Sequence, residues 1–303
     1  MTAIDSLYVS NIQERVIRLG KATRELDVSE VTKAVRQMCI SANYNVPEGS
    51  ILALKKALET EESSVGKEVL ARILENHKIA REECLAACQD TGVAMVFIEV
   101  GQNVKLIGGE LYDAINEGVR QGYIDGYLRK SVVTDPLFER VNTGDNTPAF
   151  IYTDIVPGSD VKITVAAKGG GAENMSGLRM LTPAAGVEGI KKFVVEQVAE
   201  AGPNPCPPIV VGVGIGGTFD RVALLAKKAL TRSVGSHNAH PMYAKLEAEL
   251  LEEINKLGIG PQGFGGRTTA LGVNIEFAPC HIASLPVAVN LNCHVGPHES
   301  VIL

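Results

Sequence analysis

Apolar residues in the first third of the chain recur every three to four positions, a spacing typical of helices that bury one face. Three such stripes predict helices that begin after Asp27, near Pro47 and near Ser64. Asp27, with an acidic residue three positions later, resembles the start of a capped helix. Residues 1–85 are therefore predicted to form a mainly helical layer.

From Val93 onward the pattern changes to apolar runs of strand length that alternate with helical stripes. Strands are predicted at 93–100, 150–156, 161–167, 209–215, 270–277 and 286–291, the second and third around a Pro157-Gly158 turn. Helices are predicted from 111 toward 127, and at 186–200, 221–230 and 242–257. Without a linker or an internal repeat, the sequence predicts one α/β unit over 1–303. Its helical N-terminal layer is followed by a layered sheet-and-helix body at 86–303.

Composition narrows the classes of function. A chain of 303 residues with 45% hydrophobic and 21% charged residues can bury a core without disulfides. The net charge of −6, the absence of Trp and the 5% aromatic content argue against a nucleic-acid partner. No apolar run reaches membrane-spanning length, and the N-terminus lacks the pattern of a signal peptide. A cytoplasmic location is expected.

The six cysteines are predicted to be reduced thiols or metal ligands rather than a disulfide framework. Cys39 falls on the apolar face of the first helix and is expected to be a core thiol. Three others lie at predicted turns or strand ends; they are Cys88, Cys206 and Cys293. Their spacing is unlike that of ferredoxins or zinc fingers, and it permits a three-ligand site without establishing one. Cys84 and Cys280 remain alternative ligands.

The segment Ala87-Cys88-Gln89-Asp90-Thr91-Gly92 joins a predicted helix to a predicted strand. A thiol, an amide and a carboxylate are thus held together on a turn, where scaffolds often present reactive groups. Gly92 can adopt the backbone conformation that such a turn needs. A polar loop with an incidental cysteine is the alternative interpretation.

Two glycine-rich segments have competing interpretations. Residues 168–171 follow a strand, and their backbone N–H groups could face an anion, or the segment could be a plain connector. Residues 212–217 match the G-x-G-x-x-G pattern of dinucleotide sites. However, the acid that would bind a ribose is missing, and the next acid is Glu247. A nucleotide-dependent oxidoreductase is therefore a minor alternative.

Taken together, these segments resemble the α subunit of the class I, iron–sulfur-dependent fumarate hydratases, and tartrate dehydratase α subunits are similar. The matching segments, which occur in the family's order, are 87–92, 141–144, 168–171, 204–208, 212–216, 235–237, 258–263 and 281–293.

The resemblance implies a [4Fe-4S] cluster whose protein ligands are Cys88, Cys206 and Cys293. Its open iron would act as a Lewis acid on a small dicarboxylate. The residues implied to bind substrate are Gln89, Arg129 and Gly170. The residues implied to act in catalysis are Asp90, which would assist proton transfer, and His281.

The resemblance also implies partners. Single-chain members of the family carry further site residues in a second domain, so a separate fumarase β subunit is expected, in a dimer of α–β pairs. The expected reaction interconverts fumarate and (S)-malate, and the cluster is expected to be oxygen-sensitive. Tartrate dehydration and a non-catalytic subunit that binds iron–sulfur or zinc are the alternatives, and the catalytic base could lie on the partner chain.

Overall fold

The computed structural model describes residues 23–303. Its strands are β1 (Arg24–Asp27), β2 (Val93–Gly101), β3 (Val104–Ile107), β4 (Phe150–Val156), β5 (Val161–Lys168), β6 (Gly177–Leu181), β7 (Ile209–Gly216), β8 (Ala270–Ala278), β9 (Leu285–Asn292) and β10 (His298–Ile302). Its α-helices are α1 (Val28–Tyr44), α2 (Glu48–Thr60), α3 (Ser64–Glu83), α4 (Leu111–Asp125), α5 (Gly170–Glu173), α6 (Gly186–Ala201), α7 (Phe219–Ala229) and α8 (Pro241–Asn255). Short 3₁₀ turns cover Pro183–Ala185 and Pro261–Gly263.

The predicted helical layer corresponds to α1, α2 and α3, and its portion at residues 1–22 lies outside the described residues. Helix α1 begins where predicted because the Asp27 side chain accepts a hydrogen bond from the Ser29 N–H at 2.8 Å. The short strand β1 was not predicted, and it pairs in parallel with β3. The α/β class predicted from the sequence is confirmed.

The first large sheet has the strand order β10-β5-β2-β4. Helices α1 and α4 cover one face, where Val35 and Val119 pack with Val96, Ile98 and Ile163 in one buried cluster. Strands β4 and β5 flank the Pro157-Gly158 turn as predicted, but β2 lies between them and pairs with both. The reason is that β2 is almost continuously buried, which favours a central position in a sheet.

The second large sheet has the order β6-β9-β7-β8. Its central strand β7 is buried along all eight residues. Helices α6 and α8 cover one face with apolar side chains such as Phe193, Val194 and Leu250. Helix α7 covers the other face.

Helix α7 also joins the two large sheets. Its Val222 and Ala226 pack with Ala288 of the second sheet. On the first sheet, Leu224 packs against a cluster that contains Met95 and Phe97. The relative position of the two sheets therefore depends on how closely α7 approaches each of them.

The glycines of the 212–217 segment allow that close approach. A Cβ atom on Gly212 would lie 2.3 Å from the Ala226 carbonyl oxygen, and one on Gly214 would lie 2.1 Å from the Val222 carbonyl oxygen. Both distances are shorter than any non-bonded contact between a carbon and an oxygen atom. Packing of the helix on the strand thus accounts for these two glycines without a nucleotide. Within residues 23–303, no helix is both long enough and apolar enough to cross a membrane.

Candidate active site

The candidate site forms where three separate segments meet at one edge of the two sheets. Cys206 precedes β7 and Cys293 follows β9, and these antiparallel strands place Val210 opposite Asn292. The start of β2 pairs with the end of β5, which brings the turn that carries Cys88 beside residues 168–171. Strand pairing therefore gathers residues that are far apart in the sequence.

A cavity of about 140 Å³ lies at this meeting point. The side chains and backbone that line it include Asn43, Cys88, Gln89, Asp90, Gly169, Gly171, Asn204, Cys206, Asn292 and Cys293. Cys206 is exposed, while Cys88 and Cys293 are half-buried. The two alternative cysteines do not line this cavity, since Cys84 ends α3 in a left-handed conformation and Cys280 lies in another groove.

The turn that carries Cys88 is fixed by hydrogen bonds to the backbone. The two carboxylate oxygens of Asp90 accept from the N–H groups of Gly92 at 3.0 Å and Gly170 at 2.9 Å. The Thr91 hydroxyl bonds to the backbone of Arg129, and the buried Tyr123 hydroxyl donates to the Thr91 carbonyl at 2.8 Å. The orientation of the turn is thus set by α4 and by the segment that follows it.

Gly92 is required at this turn for two reasons. Its φ of 66° lies in the left-handed region, which most residues disfavour. In addition, a Cβ atom there would lie 2.4 Å from the Lys168 carbonyl carbon. The turn can therefore contact the end of β5 only when this position is glycine.

The loop that presents Cys206 is braced by the 258–263 segment. Cys206 has a φ of 58°, a conformation that costs an L-residue roughly 1–2 kcal/mol. The Pro207 carbonyl accepts from both the backbone N–H and the side-chain amide of Gln262, at 2.7 and 2.9 Å. Gly263 lies so close to Pro203 that a Cβ atom would be 2.4 Å away. These contacts hold Cys206 in its strained backbone conformation and so fix the position of its thiol.

The electrostatic environment favours protonated thiols when the cavity holds no cation. Burial raises the pKa of Cys293 to about 11, and burial also raises the pKa of Cys88. A metal centre binds thiolates and displaces their protons, so its positive charge would reverse this preference. A set of three sulfur donors on one cavity fits a soft, iron–sulfur type of group.

The three residues expected to bind substrate differ in their position relative to the cavity and in their hydrogen-bond partners. Gln89 lines it, with its amide oxygen 3.5 Å from the Cys88 sulfur. The Arg129 side chain is exposed and forms no ion pair with any of residues 23–303, while its backbone is tied to Thr91. The Gly170 N–H, expected to be free for a carboxylate, is instead donated to Asp90.

His281 does not line the cysteine cavity. It belongs to the loop before β9, whereas Cys293 follows β9, and eight residues of strand span roughly 25 Å. It lines a separate groove of about 820 Å³ with Tyr243 and Cys280, between α6 and α8. Within a single chain the structure does not bring His281 to the cysteine cavity, because the two ends of β9 point to opposite edges of the sheet. A catalytic role for His281 stays a prediction.

A histidine pair next to Cys293, formed by the buried His77 and the half-buried His294, was not identified from the sequence. His77 Nε2 and His294 Nδ1 are 3.1 Å apart, so one nitrogen donates to the other. Burial lowers the pKa of His77 to about 4, and burial, with His77 nearby, lowers the pKa of His294 to about 3. The pair is neutral at neutral pH. The only sequence signal was the position of His77 on the apolar stripe of α3.

Comparison with known proteins identifies the family to which this chain belongs. Residues 32–301 match the family described as Fumarate hydratase (Fumerase), and the chain belongs to this family of hydro-lyases. Its similar relatives include the putative L(+)-tartrate dehydratase subunit alpha of Methanocaldococcus jannaschii, which is 45% identical over 87% of this chain and 94% of that protein. The L(+)-tartrate dehydratase subunit alpha of Escherichia coli O157:H7 is 36% identical over 91% of both chains. The corresponding subunit of strain K12 is 35% identical over the same shares.

Proposed function

We propose that this chain is the α subunit of a hydro-lyase that interconverts fumarate and (S)-malate with a [4Fe-4S] cluster. The observation that carries the proposal is the meeting of three thiols, an amide and a carboxylate on one cavity. The cluster ligands proposed are Cys88, Cys206 and Cys293. The relatives named as α subunits support a separate β subunit as the partner.

The donor set fits a cluster better than a single ion. Within residues 23–303, no group of three or more His, Cys, Asp or Glu side chains is arranged to hold a metal ion. The ligands of a cluster bind different iron atoms, so they need not converge on one point as the ligands of zinc must. When bound, the cluster supplies a Lewis-acidic iron that assists the departure of hydroxide.

The residues of this chain would position the dicarboxylate and handle its proton. The Arg129 guanidinium, which has no carboxylate partner among the described residues, can grip a substrate carboxylate through two parallel hydrogen bonds. Asp90 is held at the cavity by two backbone N–H groups and can accept a proton from the substrate once Gly170 turns to the substrate carboxylate. The Gly170 N–H then stabilises the charge that develops on that carboxylate.

Dehydration of L(+)-tartrate is the second candidate. The relatives that favour it are the α subunits from M. jannaschii and E. coli, whose names specify tartrate. Tartrate differs from malate by one additional hydroxyl group. A site with a hydrogen-bond partner for that hydroxyl would discriminate strongly against malate, because the partner would otherwise be left unpaired.

The test uses the chain produced and purified without oxygen together with its β subunit. Iron and acid-labile sulfide are measured, and then the rates with fumarate and with L(+)-tartrate. We expect a cluster and activity on one of these substrates, and Cys293→Ala should lose both. Cys280→Ala is the matched control, since it removes an exposed thiol outside the cavity and should keep both.

Two results would contradict the proposal. One is a wild-type complex that remains colourless after anoxic reconstitution with iron and sulfide. The other is a loss of cluster in Cys280→Ala as complete as the loss in Cys293→Ala. A complex that acts on tartrate and not on fumarate would retain the hydro-lyase class and select the second candidate.

A further inference from the structure

Three charged residues lie together behind the cysteine cavity, and we refer to them as the Lys–Glu–Lys triad. They are Lys168 at the end of β5, Glu173 at the end of α5 and Lys227 on α7. Glu173 lies between the two lysines. Lys227 donates to one of its carboxylate oxygens, and the Lys168 ammonium is 3.3 Å from the other. Asn290 of β9 also donates to Glu173 at 2.7 Å, so the triad links elements of both sheets.

Lys168 is unusual because its ammonium is buried and weakly held. Its side chain is 1% exposed, and its hydrogen-bond and ion-pair partners among the described residues are the Gly169 carbonyl at 3.4 Å and Glu173 at 3.3 Å. Burial lowers the pKa of Lys168 to about 8, although the Glu173 charge opposes that shift. Burying an ammonium with such long contacts is costly.

The triad carries one positive charge that no carboxylate within it balances. Two ammonium groups oppose a single carboxylate, and Lys168 and Lys227, with Asn290, lower the pKa of Glu173 to about 2 against the effect of burial. At neutral pH, Glu173 is therefore ionised. The net charge of the group is +1 when both lysines are protonated.

This charge lies next to the cavity. Lys168 directly precedes Gly169, which lines the cavity together with Gly171. Asn290 lies on β9, three residues before Cys293, which directly follows that strand. The Lys168 ammonium lies 3.4 Å from the carbonyl oxygen of Gly169.

We propose that Lys168 keeps an unbalanced positive charge beside the cysteine cavity. This charge stabilises a negatively charged occupant of the cavity. The inference rests on the proposed function, in which that occupant is a cluster bound by three thiolates. The potential of an iron–sulfur cluster depends on the charges around it, and a nearby positive charge favours the reduced, more negative form. Lys168 should therefore raise the reduction potential of the cluster.

The test changes the charge of the triad in both directions. Lys168→Met removes one positive charge, and Glu173→Gln removes the negative one while leaving both lysines. Each variant is purified without oxygen as the full chain with its β subunit and reconstituted. The midpoint potential for one-electron reduction of the cluster is then measured by redox titration. We expect Lys168→Met to lower the potential and Glu173→Gln to raise it.

Opposite shifts of the reduction potential would distinguish an electrostatic role of Lys168 from a purely structural one. A structural defect in the triad would move both variants in the same direction or leave the potential unchanged, and either result would overturn the inference. Lys228→Met is the matched control, because this neighbouring lysine pairs with Asp154 outside the triad. A shift in the control as large as the shift in Lys168→Met would also overturn the inference.

Three further results would each decide a separate point. If Lys168→Met does not fold, Glu173→Gln decides the inference alone, through the expected rise in potential or its absence. If the wild-type complex takes up no cluster, the proposed function fails and the inference fails with it. A wild-type cluster whose potential does not respond to either substitution would reject only the role of Lys168.

Discussion

At the scale of single residues, the Glu61 carboxylate joins the helical layer to the second sheet. Glu61 lies between α2 and α3 and is 2% exposed. Its two oxygens accept from four backbone N–H groups, those of Glu62, Ser63, Arg267 and Thr268. The last two belong to the loop that leads into β8. One buried charge thus fixes two distant segments against each other.

Glu61→Gln should destabilise the chain in a pH-dependent manner. Burial acts to raise the pKa of Glu61, but the backbone donors outweigh it and lower the pKa below its usual 4.5. A folded-state pKa below the unfolded value stabilises the fold above about pH 4.5, and this contribution is lost as the pH falls through the folded-state pKa. We expect a loss of about 2 kcal/mol in the free energy of unfolding at pH 7, which shrinks in acid.

The measurement is urea unfolding of the chain at several pH values. Glu62→Gln is the control, because the Glu62 side chain is 79% exposed and its ion pair with Arg267 should contribute less than about 1 kcal/mol. An equal loss in both variants, or a loss in Glu61→Gln that does not change with pH, would contradict this role for the buried carboxylate.

At the scale of secondary-structure elements, the close contact between α7 and β7 leaves no room for a larger side chain. A substitution there should lower the free energy of unfolding. Gly214→Ala would place a methyl group 2.1 Å from the Val222 carbonyl oxygen, so α7 must move away from the strand. We expect a loss of about 1–3 kcal/mol, typical of an overpacked core, measured by urea unfolding. Gly272→Ala on β8 is the control, since its nearest contact would be a Val234 methyl at 3.4 Å. Equal stability of the two variants would contradict this account.

The sequence predicted the long elements better than their arrangement. Periodic stripes and apolar runs correctly indicated helices such as α3 and strands such as β7, because burial on one face or on both leaves a regular pattern. The strands β6 and β10 were missed, since both are short edge strands with mixed exposure. The position of β2 between β4 and β5 also left no local signal, because pairing is decided by distant residues.

At the scale of the whole molecule, the candidate site could be predicted only in part. No spacing rule brings Cys206 and Cys293 together; the antiparallel pairing of β7 and β9 does so, and only the family resemblance indicated it. Lys168 and the His77–His294 pair were not identified, because a buried charge or a polar pair is visible only when the packing is known. His281 was assigned to the site by resemblance alone, and the fold of one chain separates it from the cysteines.

That separation leads to a prediction about assembly. If His281 serves a cysteine site, it must reach the cavity of a second chain, as the dimer of α–β pairs expected from the family resemblance would allow. The variants Cys293→Ala and His281→Ala should each be inactive alone, because every site then lacks one group. Produced together, they should form mixed dimers in which one of the two sites is intact. Random assembly would restore about a quarter of the wild-type activity.

The control pairs Cys293→Ala with Cys206→Ala. Both substitutions alter the cavity of their own chain, so each site of the mixed dimer keeps one defect and no activity should return. Differently tagged chains allow the mixed dimer to be purified and its activity measured directly. Purified mixed dimers of Cys293→Ala and His281→Ala that remain inactive would show that His281 does not complete the site of another chain. Because His281 and Cys293 lie beyond opposite ends of β9, its place would then be the groove between α6 and α8.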